Sequence, residues 1–231
     1  GGGKETIEDS IQVISRMCNI VMARLFHHED LLKMAEFATI PVINALTDVG
    51  HPCQILADLQ TIQEKKGTLK GLKLAYLGDG FNNVTHSLMH GCTKLGMHIS
   101  VGPPEEQMPA VEVTEECMRF AAESGSELLV TSDAVEAIQD ADIVYTDSWM
   151  SYHIPKNEEA ERIKLFTPYQ VNAELMKSAK PDAIFMNCLP ALRGAEQTAE
   201  VIDGPQSVVF DEAENRLHAQ KAVMLKLCGV V

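Results

Sequence analysis

Asn187-Cys188-Leu189-Pro190 follows an apolar run, Ala183-Ile184-Phe185-Met186. The run reads as a buried strand, which puts Cys188 at a strand's carboxyl end, the edge where open α/β folds bind ligands. A thiol there can line a substrate pocket; the alternative is a small apolar filler. His51-Pro52-Cys53-Gln54 opens a second segment, with proline where a first helical turn accepts it. A protonated imidazole is disfavoured at a helix N-terminus. His51 would therefore act neutral, donating one hydrogen bond to a polarised carbonyl oxygen, with Gln54 reaching the same ligand through its amide. An ordinary N-terminal pair is the alternative. Arg24 ends a short apolar run, and Arg216 closes Asp211-Glu212-Ala213-Glu214-Asn215-Arg216. Two arginines converging on a pocket would bind phosphate, carboxylate or a developing oxyanion; taken singly, each is more often a surface or salt-bridge residue. Asp147, at another strand end, can hold an ammonium or be a solvated loop acid. Asn82 and Asn83 cap a helix or bind a polar substrate group. These segments are distant in sequence and polar for no evident packing reason, which points to one composite site.

Other chemistries find less support. Gly78-Asp79-Gly80-Phe81-Asn82-Asn83 resembles a nucleotide-binding turn but lacks the third glycine of GxGxxG. A nucleotide-binding oxidoreductase also lacks its acidic ribose partner. His86 and His90 stand one turn apart near Cys92 without an HExxH pattern or third ligand, so they read as helix surface or core. His27-His28-Glu29 reads as loop. There is no GxSxG elbow and no P-loop.

The elements that must position these residues alternate. Helices are predicted at 5–17, 30–37, 52–66, 83–95, 112–123, 134–139 and 170–179, and in a last segment opening at Asp211. Strands are predicted at 20–24, 41–46, 73–77, 99–101, 127–130, 142–147, 184–186 and 207–210. That order implies an α/β fold with parallel sheets covered on both faces. Residues 1–66 offer only two strands, a poor core by themselves. The chain has 231 residues, 45% hydrophobic and 23% charged, enough for one large or two small domains. A net charge of −14 disfavours nucleic acid; it suits a cationic small molecule or plain solubility. No apolar run approaches the roughly 20 residues that span a bilayer, and no secretory pattern opens the chain. Six cysteines without CxxC spacing fit reduced thiols in the cytoplasm.

Taken together, the segments resemble the ornithine/putrescine carbamoyltransferase family. The carriers are Lys4 to Asp9, Met22-Ala23-Arg24, His51-Pro52-Cys53-Gln54, Gly78 to Asn83, Thr146-Asp147-Ser148-Trp149, Pro168 to Asn172, Asn187-Cys188-Leu189-Pro190 and Asp211 to Leu217. They run in family order over nearly the whole chain. The resemblance implies two doubly wound α/β domains: a partial carbamoyl-phosphate domain over 1–66, incomplete at its N-terminus, and an amine domain over 67–210. A C-terminal helix, 211–231, would bridge them. It implies transfer of a carbamoyl group from carbamoyl phosphate to ornithine, giving citrulline and phosphate, without metal or organic cofactor, in a homotrimer. Arg24, His51 and Gln54 would contact carbamoyl phosphate. Cys188, Leu189 and Arg216 would line the junction with the amine, so that Arg24, His51, Cys188 and Arg216 form the catalytic set. Asn83, Asp147, Ser151 and Tyr152 would hold the amine substrate.

Three departures qualify the resemblance. The family's Ser-Thr-Arg-Thr phosphate loop does not occur before Gly1, so the expectation is a fragment or shortened chain that does not catalyse alone. Tyr152 and His153 replace Met-Gly after Ser151, and the 149–166 segment has a putrescine-enzyme length, although Asn83 is ornithine-like; putrescine or another amine is the alternative acceptor. Asn187 stands where the family usually has histidine, which removes any acid/base role there. The alternative from another class is a non-catalytic binding or regulatory protein on this scaffold.

Overall fold

A computed structural model describes residues 5–150 and 154–230. Helix α1 (Ile7–Ser15) starts at Thr6, whose hydroxyl accepts the Asp9 N–H at 3.1 Å. Strands β1 (Val21–Arg24) and β2 (Val42–Leu46) pair in parallel through the crossover helix α2 (His28–Phe37). Helix α3 (Pro52–Lys66) then carries the chain away, ending at Gly67 with φ of 77°, a left-handed cap suited to glycine.

The second sheet comprises β3 (Lys73–Leu77), β4 (His98–Gly102), β5 (Leu128–Val130), β6 (Ile143–Tyr145) and β7 (Ile184–Met186), in the spatial order β5-β4-β3-β6-β7, with every pair parallel. Between the strands run α4 (Asn83–Lys94), α5 (Val111–Ser124), α6 (Ala134–Ile138), α7 (Glu159–Phe166) and α8 (Ala173–Met176); α9 (Ala199–Ile202) and α10 (Val209–Leu227) follow β7. Side chains alternate across a strand. Leu74 and Tyr76 thus join the core under α3, α4 and α5, while Ala75 and Leu77 join the core under α6, α8 and α9. Burial on both faces explains the unbroken apolar run of β3. Helix α4 crosses α3 closely at Gly91, where an added Cβ would stand 2.6 Å from Ile55 Cγ2.

Strand order reverses between β3 and β6: the chain runs outward through β4 and β5, then returns to the other side of β3. Ligands bind at such a switch point, outside the carboxyl ends of the strands. Helix α10 returns to lie along α3. Asn215 Nδ2 donates to Thr61 Oγ1 at 2.9 Å, Gln220 Nε2 to the Cys53 carbonyl at 2.6 Å, and Lys65 pairs with Asp211 at 3.0 Å.

The structure corrects several expectations. The strand predicted at 207–210 is a single bridge between Ser207 and Phe185. Val208 donates to the Phe185 carbonyl and its own carbonyl accepts from Glu212, so Val209 and Phe210 already belong to α10, two residues before the predicted start. The helix predicted at 170–179 shrinks to four residues. Val171 is extended, exchanging backbone hydrogen bonds with Glu196 and Thr198, and Asn172 Oδ1 caps the turn by accepting from Leu175 at 2.9 Å. His27-His28-Glu29 is not loop: α2 begins at His28. Helix α7 carries little apolar periodicity to predict it from: half of its residues are charged, and only Arg162 and Phe166 are buried.

Candidate functional site

The carboxyl ends of both sheets and the N-termini of α3 and α4 surround one cavity of about 380 Å³. Its walls bring together Arg24, His51, Gln54, Asn83, Asp147, Cys188, Leu189 and Arg216. Ser151 and Tyr152, also predicted for the site, lie outside the described residues; Ser148 and Met150 line the cavity just before them.

One end is basic. Arg24 closes β1, and Arg216 projects from the second turn of α10, where Nη1 donates to Gln54 Oε1 at 2.5 Å. His51 precedes α3 and is buried. Its backbone N–H donates to Ser87 Oγ at 2.7 Å, while ring atom Nδ1 meets no hydrogen-bond partner. Burial, reinforced by the nearby Arg216 and Arg24, pushes its pKa down to about 3, so the ring is neutral at ordinary pH. The first turns of α3 and α4 also present the positive ends of two helix dipoles to this space.

The other end is acidic and soft. Asp147 follows β6 and is buried. Its Oδ1 accepts the Cys188 thiol at 3.0 Å and the Ser148 N–H at 2.7 Å, and Oδ2 accepts from Asn82 Nδ2 at 3.0 Å. Burial raises its pKa, and burial together with the Asp147 charge raises the Cys188 thiol well above its usual range, so Cys188 is a thiol rather than a thiolate. Asn82 caps α4 through Oδ1, which accepts from Val84 at 2.7 Å, and Asn83 Nδ2 donates to the Thr47 carbonyl beyond β2 at 2.6 Å. That bond ties the edges of the two sheets together.

Asn187 is committed to structure. Its Oδ1 accepts from Leu189 at 2.8 Å and its Nδ2 donates to Gln197 Oε1 at 3.1 Å, which holds the turn carrying Cys188; Leu189 has a φ of 51° and precedes a cis Pro190. Gly80 has a packing reason: an added Cβ would collide with the Gln107 carbonyl and meet Pro103 and Pro109 at 3.0 Å. The glycine turn is thus explained by this chain's own atoms. His86 Nε2 accepts from Ala110 at 3.2 Å, and His90 Nε2 pairs with Glu116 at 2.8 Å; among the described residues no His/Cys/Asp/Glu cluster is arranged to hold a metal.

Three groups that support the site escaped sequence reasoning. Asp58 and Glu212 lie fully buried beneath Gln54. Arg162 of α7 ties Asp79 beyond β3 at 2.5 Å to the Trp149 carbonyl at 2.6 Å, and so fixes the wall before Ser151. Asp58 carries the clearest signal of the three: it follows Gln54 by one helical turn and precedes Thr61 by another, a polar stripe on an otherwise apolar face.

Comparison with known proteins places the chain among relatives. Residues 1–64 match the family model "Aspartate/ornithine carbamoyltransferase, carbamoyl-P binding domain", and residues 70–227 match "Aspartate/ornithine carbamoyltransferase, Asp/Orn binding domain". The chain is 55% identical over 225 residues to the ornithine carbamoyltransferase of Thermococcus kodakarensis, covering 97% of this chain and 71% of that protein. Identity to the ornithine carbamoyltransferase of Bacillus subtilis is 52%, covering 96% and 69%. The solved ornithine carbamoyltransferase of Pyrococcus furiosus superposes with a TM-score of 0.95 at 52% identity, covering all of this chain and 73% of that one. Ornithine transcarbamoylase of Giardia lamblia superposes with a TM-score of 0.90 at 43% identity, covering 97% and 75%.

Proposed function

The chain belongs to the aspartate/ornithine carbamoyltransferase family, and from that premise we propose that it moves the carbamoyl group of carbamoyl phosphate to the side-chain amine of ornithine, yielding citrulline and phosphate. The observation that carries this reading is the polarity of one cavity: Arg24, Arg216 and neutral His51 at one end, Asp147 and Cys188 at the other. Arg24 and Arg216, with the N-termini of α3 and α4, offset the charge of the phosphate. His51 donates a hydrogen bond to the carbamoyl oxygen as negative charge gathers there. Asp147 takes the α-ammonium of ornithine, whose charge balances a carboxylate that burial otherwise disfavours. Asn83, Ser151 and Tyr152 complete the amine end in this reading.

The neutral side-chain amine attacks the carbamoyl carbon. A C–N bond forms, the C–O bond to phosphate breaks with its electron pair leaving on phosphate, and the proton shed by the amine ends on the departing phosphate. Holding both reactants in line supplies much of the acceleration, and the step as written uses no metal or organic cofactor. Within the reading, 1–66 is the carbamoyl-phosphate unit, 67–210 the amine unit and 211–231 the bridge. A homotrimer, which the family resemblance implies, is the assembly within this reading. The test is an amine panel at saturating carbamoyl phosphate: ornithine should show the highest kcat/KM, with putrescine well below it. Preference for putrescine would reject the acceptor, and binding without transfer would reject the enzyme in favour of a binding protein.

A further inference from the structure

Beneath the cavity floor, Asp58 of α3 and Glu212 of α10 are each fully buried and share their hydrogen-bond donors. Gln54 Nε2 donates to Asp58 Oδ1 at 2.8 Å and to Glu212 Oε1 at 3.1 Å. The Tyr145 hydroxyl lies 3.0 Å from Glu212 Oε1 and 3.3 Å from Asp58 Oδ2. Gln54 and Tyr145 thus bridge the two carboxyl groups and hold them in one buried cluster. Two ionised carboxylates held together away from water repel each other, which favours a proton on one of them. The remaining Glu212 oxygen, Oε2, accepts the Asn187 N–H at 3.0 Å.

We propose that Asp58 and Glu212 are positioning residues that share one proton, fixing Gln54 and Arg216 at the basic end of the cavity and the Asn187-Cys188 turn at the other. The Gln54 amide has a single orientation here. With both N–H groups spent on the carboxyls, its oxygen faces Arg216 Nη1. Glu212 then carries the same frame across to the backbone N–H next to Cys188. Both halves of the site thus hang on one buried pair, contributed by the two helices that run between the sheets.

Charge supports a single shared proton. From the elements packed around the pair, the other ionisable groups are Tyr145 of β6, Cys92 of α4, and Cys188 and Asp147 beyond β7 and β6; Arg216 is the cation acting on it. Two bare carboxylates there would leave an excess negative charge in a dry interior, which is strongly disfavoured. One proton leaves one negative charge for one guanidinium. Burial raises both carboxyls, Asp58 to about 7 and Glu212 well above the usual carboxylate range, so the pair holds a proton at neutral pH.

Infrared difference spectra and carbamoyl-phosphate kinetics on the full-length protein test this together. The native protein should show a protonated-carboxyl stretch at neutral pH that disappears in Glu212→Gln and in Asp58→Asn, since either variant leaves a single carboxylate matched by Arg216 and no like charge to oppose its ionisation. Each single amide variant leaves one carboxylate to balance Arg216, so the KM for carbamoyl phosphate should stay within about three-fold of native, whereas the double variant Asp58→Asn with Glu212→Gln, which strips Arg216 of its counter-charge, should raise it about ten-fold. The alkaline limb of kcat/KM for carbamoyl phosphate should vanish in Glu212→Gln, since an amide cannot lose that proton. Absence of the stretch in the native protein, or its survival in Glu212→Gln, overturns the proposal. An unmoved pH profile in the single variants, with the double variant no worse than either, also overturns it, since that would mean packing alone. The kinetic arm rests on the carbamoyl-transfer reading and the infrared arm does not, so the two fail separately.

Discussion

His51 shows how a residue's surroundings set its chemistry. Its ring is buried at the start of a helix with two arginines nearby, and its pKa falls to about 3. Between pH 6.5 and 3 the unfolded chain binds a proton there that the folded chain refuses. This site therefore contributes stability above about 6.5 and loses about 1.4 kcal/mol per pH unit as the pH falls through that window. Histidine NMR should accordingly show no titration of His51 between pH 8 and pH 5; a midpoint near 6.5 would mean that the ring is exposed or paired with an acid. The neutral state of His51 was legible in the sequence, because a helix N-terminus already disfavours the cation. The commitments of Gln54 were not. Its pairing with Glu212 and Arg216 depends on α10 returning alongside α3, a contact between residues more than 150 positions apart.

At the scale of elements, capping links local sequence to the site. Asn82 and Asp133 both cap helices through a side-chain oxygen: Asn82 on α4, and Asp133 on α6, where it accepts from Val135 and Glu136 at 2.8 and 3.1 Å. Replacing either by alanine should cost about 1 kcal/mol of stability in denaturant unfolding. Only Asn82→Ala should also raise the KM for ornithine, because Asn82 Nδ2 alone of the two holds Asp147. Equal effects of both variants on KM would remove Asn82 from the amine end. The Asp133 cap was readable in advance, as were β3 and β7 to the residue, since apolar runs bounded by turns leave little choice. Val208-Val209-Phe210 was misread as strand. Its β-branched composition is outweighed by the α10 backbone hydrogen bond from Glu212 to Val208. Strand order, and with it the switch point between β3 and β6, depends on long-range pairing that local pattern does not carry.

For the whole molecule, the site is a seam. Arg24 and His51 come from the first sheet and its outgoing helix, Asp147 and Cys188 from the second sheet, and Arg216 from the helix that returns between them. Lys66 at the end of α3 reinforces the seam by reaching Asp182 before β7 at 3.0 Å. No helix among the described residues is long and apolar enough to cross a membrane. The central claim is that this seam joins a carbamoyl donor to an amine. The most direct measurement follows carbamoyl phosphate by phosphorus NMR in the presence and absence of ornithine, with citrulline quantified in the same samples. The account predicts phosphate and citrulline in equal amounts when ornithine is present, and only slow spontaneous phosphate release without it. Phosphate release unaffected by ornithine, or release without citrulline, would contradict it.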